Sequence, residues 1–152
     1  MSRICTGLIV AALLLLGGCG QKLPPGAQPT KKISVVVLYK GAPLEGASIT
    51  FVNQDGAPAP AVGRTDSQGK AVMKTYVEGD GAVMGKHKVM IDKSESVGGQ
   101  TVGPESPEYN PNAPPPTLKR HIPQKYSEYG NSGLTAEVSA SGPSEFTFDL
   151  KD

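Results

Sequence analysis

The sequence predicts an all-β fold, an antiparallel sandwich of roughly seven short strands. Three observations predict it. Short runs rich in Val, Ile, Thr and Phe alternate apolar and polar residues with the period of a strand. Turn-formers separate them, with 19 Gly and 14 Pro among 152 residues. No run carries convincing helical periodicity; the one helix-like stretch is a turn after Pro123.

The chain opens with a segment of another kind. Met1 and Arg3 give a positive start, and Ile4–Leu16 is an apolar run of 13 residues, too short for a finished transmembrane helix. Leu16-Gly17-Gly18-Cys19 follows, and the sequence turns polar at once. That quartet resembles the bacterial lipobox. The resemblance implies cleavage before Cys19, a diacylglyceryl thioether on its thiol and acylation of the new amine. Two or more chains hold a protein on a bilayer where one does not. Residues 1–18 are thus expected to be a lipoprotein signal peptide, with Leu16, Gly17 and Gly18 read by the peptidase and Cys19 as the lipid attachment. Cys5 leaves with the signal, so the exported domain has no cysteine for disulfide or thiolate chemistry. Residues 19–31, Pro/Gly/polar without periodicity, read as a flexible tether.

The domain is expected over 32–152. Ile33, Val35, Val37 and Tyr39 alternate along a first strand. "YKGAPLEGASITFV" (Tyr39–Val52) reads as a hairpin with a long loop, turned by Gly41, Pro43 and Gly46. "NQDGAPAP" (53–60) is a turn, Ala61–Arg64 a short strand, and "TDSQGKAVMKTY" (65–76) a turn at Asp66 and Gly69 leading into another strand. "EGDGAVMG" is a further turn. In "KHKVMID" (86–92), His87, Val89 and Ile91 share one face. Residues 94–121, centred on Pro114-Pro115-Pro116, read as a long excursion, partly polyproline II or disordered, and as the candidate recognition segment. Leu134–Val138 and Phe146–Leu150 alternate again and close the chain.

Charge excludes one class of partner. The formal net charge is +1, and with Arg3 removed the basic and acidic groups balance at 14 each. Nothing forms the basic patch or stripe a nucleic-acid surface needs.

Three motifs in order, "GAPLEGASITF" (Gly41–Phe51), "TDSQGKAVM" (Thr65–Met73) and "GDGAVMGKHKVMI" (Gly79–Ile91), resemble the carboxypeptidase regulatory-like, or transthyretin-like, domain. The version in bacterial lipoproteins is most similar, through "IPQKY" (Ile122–Tyr126) and the final "FTFDL" (Phe146–Leu150). The resemblance implies a seven-stranded Greek-key, prealbumin-like β-sandwich, usually non-catalytic, serving as an accessory or scaffolding module of exported proteins. It carries over Gly41, Pro43, Gly46, Asp66 and Gly69 as turn signatures, and no catalytic residue.

His87 and His121 lack the neighbours a zinc site requires. His87 reads as a core histidine and His121 as a solvated one. The C-terminal Phe148-Asp149-Leu150-Lys151-Asp152 lacks the Tyr-Arg-Gly-Ser tail of the transthyretin-like hydroxyisourate hydrolases. Tyr109, Tyr126, Tyr129 and His121 cluster in sequence but lack the close His pair of the intradiol dioxygenases. Tyr126 is expected to bury its ring and leave its hydroxyl wet. Asp55, Asp66 and Asp80 sit beside turn positions; they read as turn-formers or, on convergence, calcium ligands.

The expectation is therefore a non-enzymatic, membrane-anchored β-sandwich at a bacterial cell envelope, facing the periplasm or the exterior. It would act as a structural, scaffolding or binding module. The expected partners are the membrane, through Cys19, and an envelope protein or glycan. No metal or cofactor beyond the lipid is expected. The alternative is a small envelope enzyme or a calcium-, zinc- or iron-binding protein on the same fold.

Overall fold

A computed structural model describes residues 23–100 and 102–152. The expected signal peptide, the Leu16-Gly17-Gly18-Cys19 quartet and the start of the expected tether lie outside these residues. The described chain forms β1 (Thr30–Lys31), β2 (Ser34–Tyr39), β3 (Ala42–Pro43), β4 (Ser48–Asn53), β5 (Ala61–Arg64) and β6 (Lys70–Val72). It continues through β7 (Ala82–Val83), β8 (Gly85–Asp92), β9 (Ser94–Val97), β10 (Thr117–Arg120), a 3₁₀ turn (Gln124–Ser127), β11 (Leu134–Val138) and β12 (Glu145–Leu150). The fold is all-β, and the turn after Pro123 is the one helical element among the described residues.

One sheet runs β11-β8-β4-β5, with every neighbour antiparallel. In the other, β2 has β12 along one edge, and β6 and β3 share its other edge. Alternate residues of both sheets face a common core. Val35 and Val37 of β2 meet Ile49 and Phe51 of β4, Val89 and Ile91 of β8, and Phe148 and Leu150 of β12. Phe51 is fully buried, with the Phe148 and Phe146 rings edge-on to it at 6.3 and 6.0 Å. The sheets meet along one side, where Val62 of β5 bridges to Lys74 just beyond β6. Gly63 permits this approach, because a Cβ there would lie 2.7 Å from Met73 Sδ.

Several expectations need correction. The sandwich is not wholly antiparallel: β12 runs parallel to β2 over its whole length. The chain reaches β12 by crossing from β11 in the opposite sheet, so a tight hairpin to β2 is not required. Tyr39–Val52 is not one hairpin either. Lys40 and Gly41, with φ of 54° and 79°, make a two-residue turn into β3. Pro43 lies within that short outer strand rather than breaking it, which its missing N–H allows at an edge. The chain then crosses to the other sheet through buried Leu44 and Ala47. The Thr65 hydroxyl fixes the crossing: it donates to Leu44 O at 2.6 Å and accepts from Ala47 N at 2.8 Å.

The tether ends sooner than residue 31. Thr30–Lys31 pairs with Ala82–Val83, and the Tyr76 hydroxyl accepts the Gln28 N–H. The Lys31 ammonium donates to the Ser139, Ala140 and Gly142 carbonyls at 2.9, 3.2 and 2.6 Å. Strands of two residues with no alternation leave no signal in sequence.

The 94–121 excursion is likewise more ordered than expected at its base. β9 and β10 pair from Ser94↔Arg120 to Val97↔Thr117, forming a ribbon whose residues are largely exposed. In the loop beyond, the Gln100 amide donates to Asn110 O and accepts from Asn110 N, each at 2.8 Å.

The strand directions define two poles. The N-terminal segment, the 53–60 turn, β7 and the 139–144 loop occupy one, called the tether pole. The Lys40–Gly41 and Asp66–Gly69 turns, the ribbon and the C-terminus occupy the far pole, since β2, β5, β8 and β12 all end there.

Candidate functional site

The β5–β6 junction shapes an open concavity. Ser48 and Thr50 on the outer face of β4 stand opposite Arg64 and Val62 of β5. The Val62–Lys74 bridge brings Val72 alongside Arg64. These side chains line an open groove of about 720 Å³. Val62 and Val72 form an apolar ledge in it, 37% and 58% exposed. Its charged rim is mostly paired. Lys70 binds Glu145 at 2.6 Å and Lys74 binds Glu78 at 3.3 Å. The Lys70 ammonium holds the Glu145 carboxyl below its ordinary range. Asp66 Oδ1 accepts the N–H groups of Gln68 and Lys70, closing its own turn.

Arg64 also lines a second concavity of about 280 Å³ at the far pole, with Glu45, Lys93, Glu95 and His121. His121 Nε2 lies 3.1 Å from Glu95 Oε1, and Lys119 approaches the same oxygen at 3.5 Å. These contacts lower the Glu95 pKa, the His121 hydrogen bond first. His121 is thus a base residue of the ribbon rather than a free side chain in a loop. Its own N–H donates to Lys93 O.

His87 lies in the core, as its strand face implies, with 1% exposure. Its Nε2 is 2.8 Å from Val83 O, its ring is tilted 46° against Phe51, and Nδ1 has no partner. His87 belongs to the tether-pole half of β8 and His121 to the far pole, so the two do not meet. Tyr126 is buried as expected, but its hydroxyl is bound: it donates to Lys151 O at 2.9 Å and accepts Lys151 N at 3.0 Å. Tyr129 lies under the Lys88 ammonium, 4.6 Å from its ring centre.

The three candidate calcium ligands do not gather in one place. Asp66 is at the far pole. Asp55 accepts the Lys86 N–H, and Asp80 the N–H groups of Thr75, Tyr76 and Val77, at the tether pole. Among the described residues no three His, Cys, Asp or Glu side chains gather as a metal would need. The turn residues Gly41, Gly46 and Gly69 take φ of 79°, 71° and 73°, all at the far pole.

Sequence reasoning passed over Arg64, Val62 and Val72. A single arginine ending a four-residue strand carries no motif, and only the pairing of β4, β5 and β6 places these side chains together. The chain matches no protein-family model, and no curated protein or solved structure is significantly similar to it.

Proposed function

We propose that this chain is a lipid-anchored β-sandwich of the transthyretin-like, carboxypeptidase regulatory-like type. It acts as a non-catalytic structural, scaffolding or binding module at a bacterial cell envelope. Cys19 carries the lipid, residues 19–29 give reach, and the folded domain begins where Gln28, Thr30 and Lys31 are held.

One observation carries the reading. The N-terminal segment joins the domain at one pole, while the ribbon, the Arg64 concavities and the C-terminus lie toward the other. Anchored through its N-terminus, such a domain turns its ribbon away from the membrane. Two facing sheets of four strands each, β11-β8-β4-β5 and β2 with β12, β6 and β3, support the all-β part of this reading.

The test is metabolic labelling with a radioactive fatty acid, followed by membrane fractionation. The native chain should be cut, labelled and membrane-bound, and Cys19→Ser should be unlabelled and released. In spheroplasts, added trypsin should clip the native protein within the ribbon, after Lys119 or Arg120. An uncut, unlabelled native chain in the membrane fraction would refute the anchor.

A further inference from the structure

We infer that the groove around Arg64 is a binding site for a carboxylate that carries an aliphatic group. The inference rests on the binding-module reading but uses different residues from the anchor.

Arg64 is the starting point. Among the described residues its guanidinium makes no ion pair and no side-chain hydrogen bond, whereas Lys70 and Lys74 on the same rim are both paired. An arginine matches a carboxylate with two parallel N–H donors. Beside it, across β4, stand the Ser48 and Thr50 hydroxyls, able to donate to the remaining lone pairs. Next to it lies the exposed Val62–Val72 ledge, which an aliphatic group would cover. Cation, hydroxyls and apolar ledge thus adjoin one another on three neighbouring strands.

The same side chains decide against other ligands. Lys74 and Glu78 offset each other and Asp66 stands on the same rim, so a phosphate dianion would meet one unpaired cation beside one carboxylate. No aromatic side chain lines the groove, which removes the stacking surface a sugar ring or a nucleobase would use. A single negative charge on an aliphatic body fits what is there. Arg64 lines both concavities, its Nη2 3.7 Å from where a Cβ on Gly46 would lie, and Glu45 lines only the second.

Two sources supply this chemistry, a peptide C-terminus ending in an aliphatic residue and a free short-chain fatty acid. The probes are N-acetyl-Ala-Val and hexanoate, titrated into the full chain in non-ionic detergent and read by NMR at the Val62 and Val72 methyls and the Arg64 side chain. We expect saturable shifts at these groups with one or both probes. Arg64→Met should weaken binding roughly tenfold or more, the range of a charge-assisted pair, with Val62→Ser weakening it less. Preference for the dipeptide assigns a peptide terminus, and preference for hexanoate assigns a fatty acid. Equal binding of N-acetyl-Ala-Val amide would overturn the proposal, as would unchanged affinity in a folded Arg64→Met variant. Flat titrations with both probes would also overturn it, while leaving membrane anchorage by Cys19 untouched.

Discussion

Gly81 sits where the incoming chain crosses the sandwich. Its φ is 90°, and a Cβ built on it would fall 1.8 Å from the Lys31 carbonyl oxygen and 2.7 Å from Lys32 Cα. Backbone cannot swing aside as a side chain can, so Gly81→Ala must displace β1. The expected loss is about 2–4 kcal/mol, strain and lost pairing together. Gly26, also at positive φ but in open space, should lose about 1 kcal/mol on the same change. Urea melts of both variants separate the two costs. Tyr126 gives a second residue-level prediction. Its hydroxyl serves both the N–H and the carbonyl of Lys151, so Tyr126→Phe keeps the ring in the core and strips two bonds from the C-terminal strand's end. About 1–2 kcal/mol should be lost in the same melts. Phe51→Ala, which empties the space between the sheets, should cost more, about 3–5 kcal/mol.

The elements differ in how well they are supported. β4 and β8 are interior strands with alternate residues fully buried. The β9–β10 ribbon has one partner per strand and two exposed faces, with Val97 and Leu118 about half exposed. A lone two-stranded ribbon is marginal in water. Amide exchange should therefore be slowest at Val89 and Ile91 and fast throughout Glu95–Val97, opening without global unfolding. β12 and β6 both pair with β2, and the Glu145–Lys70 ion pair ties the two flanking strands to each other across it. The Glu145 pKa is lowered in the folded chain, so this pair's contribution is complete above the ordinary value of 4.5. It is lost as pH falls through the lower folded value. Melting temperature followed from pH 6 to pH 3 should show an acid loss that is smaller in Lys70→Met and smaller in high salt.

At the scale of the whole molecule, the parallel β2–β12 pair joins the two ends of the domain. Ser34 pairs with Glu145 and Tyr39 with Leu150, so one edge of the central strand stays unpaired until the last strand arrives. Loop closure on that scale precedes the contacts that reward it, and refolding should fall in the range of about milliseconds to seconds typical of non-local β proteins. Stopped-flow fluorescence of the tyrosines would measure it. Asp152 adds a local tie at the same end: it binds the Lys40 ammonium and the Tyr39 hydroxyl, and the lysine's hydrogen bond holds its carboxyl below the ordinary range. Removal of Lys151 and Asp152 should lower the melting temperature by more than Asp152→Asn does, because it also takes the backbone partner of Tyr126.

What is periodic or local can be read along the chain. Alternation in Ile33–Tyr39, Lys86–Asp92, Leu134–Val138 and Phe146–Leu150 marked the long strands and the buried face of His87, because a half-buried strand repeats every two residues. Turn chemistry marked Gly41 and Gly69, because a positive φ selects glycine. Tertiary structure decided the rest. The direction of β12, the two-residue strands β1 and β7, and the holding of Lys31 by three carbonyls depend on partners more than ten residues away. The meeting of Arg64 with Val62, Val72, Ser48 and Thr50 is of the same kind. Each residue is unremarkable in its own segment, and only the register of three strands makes a site of them.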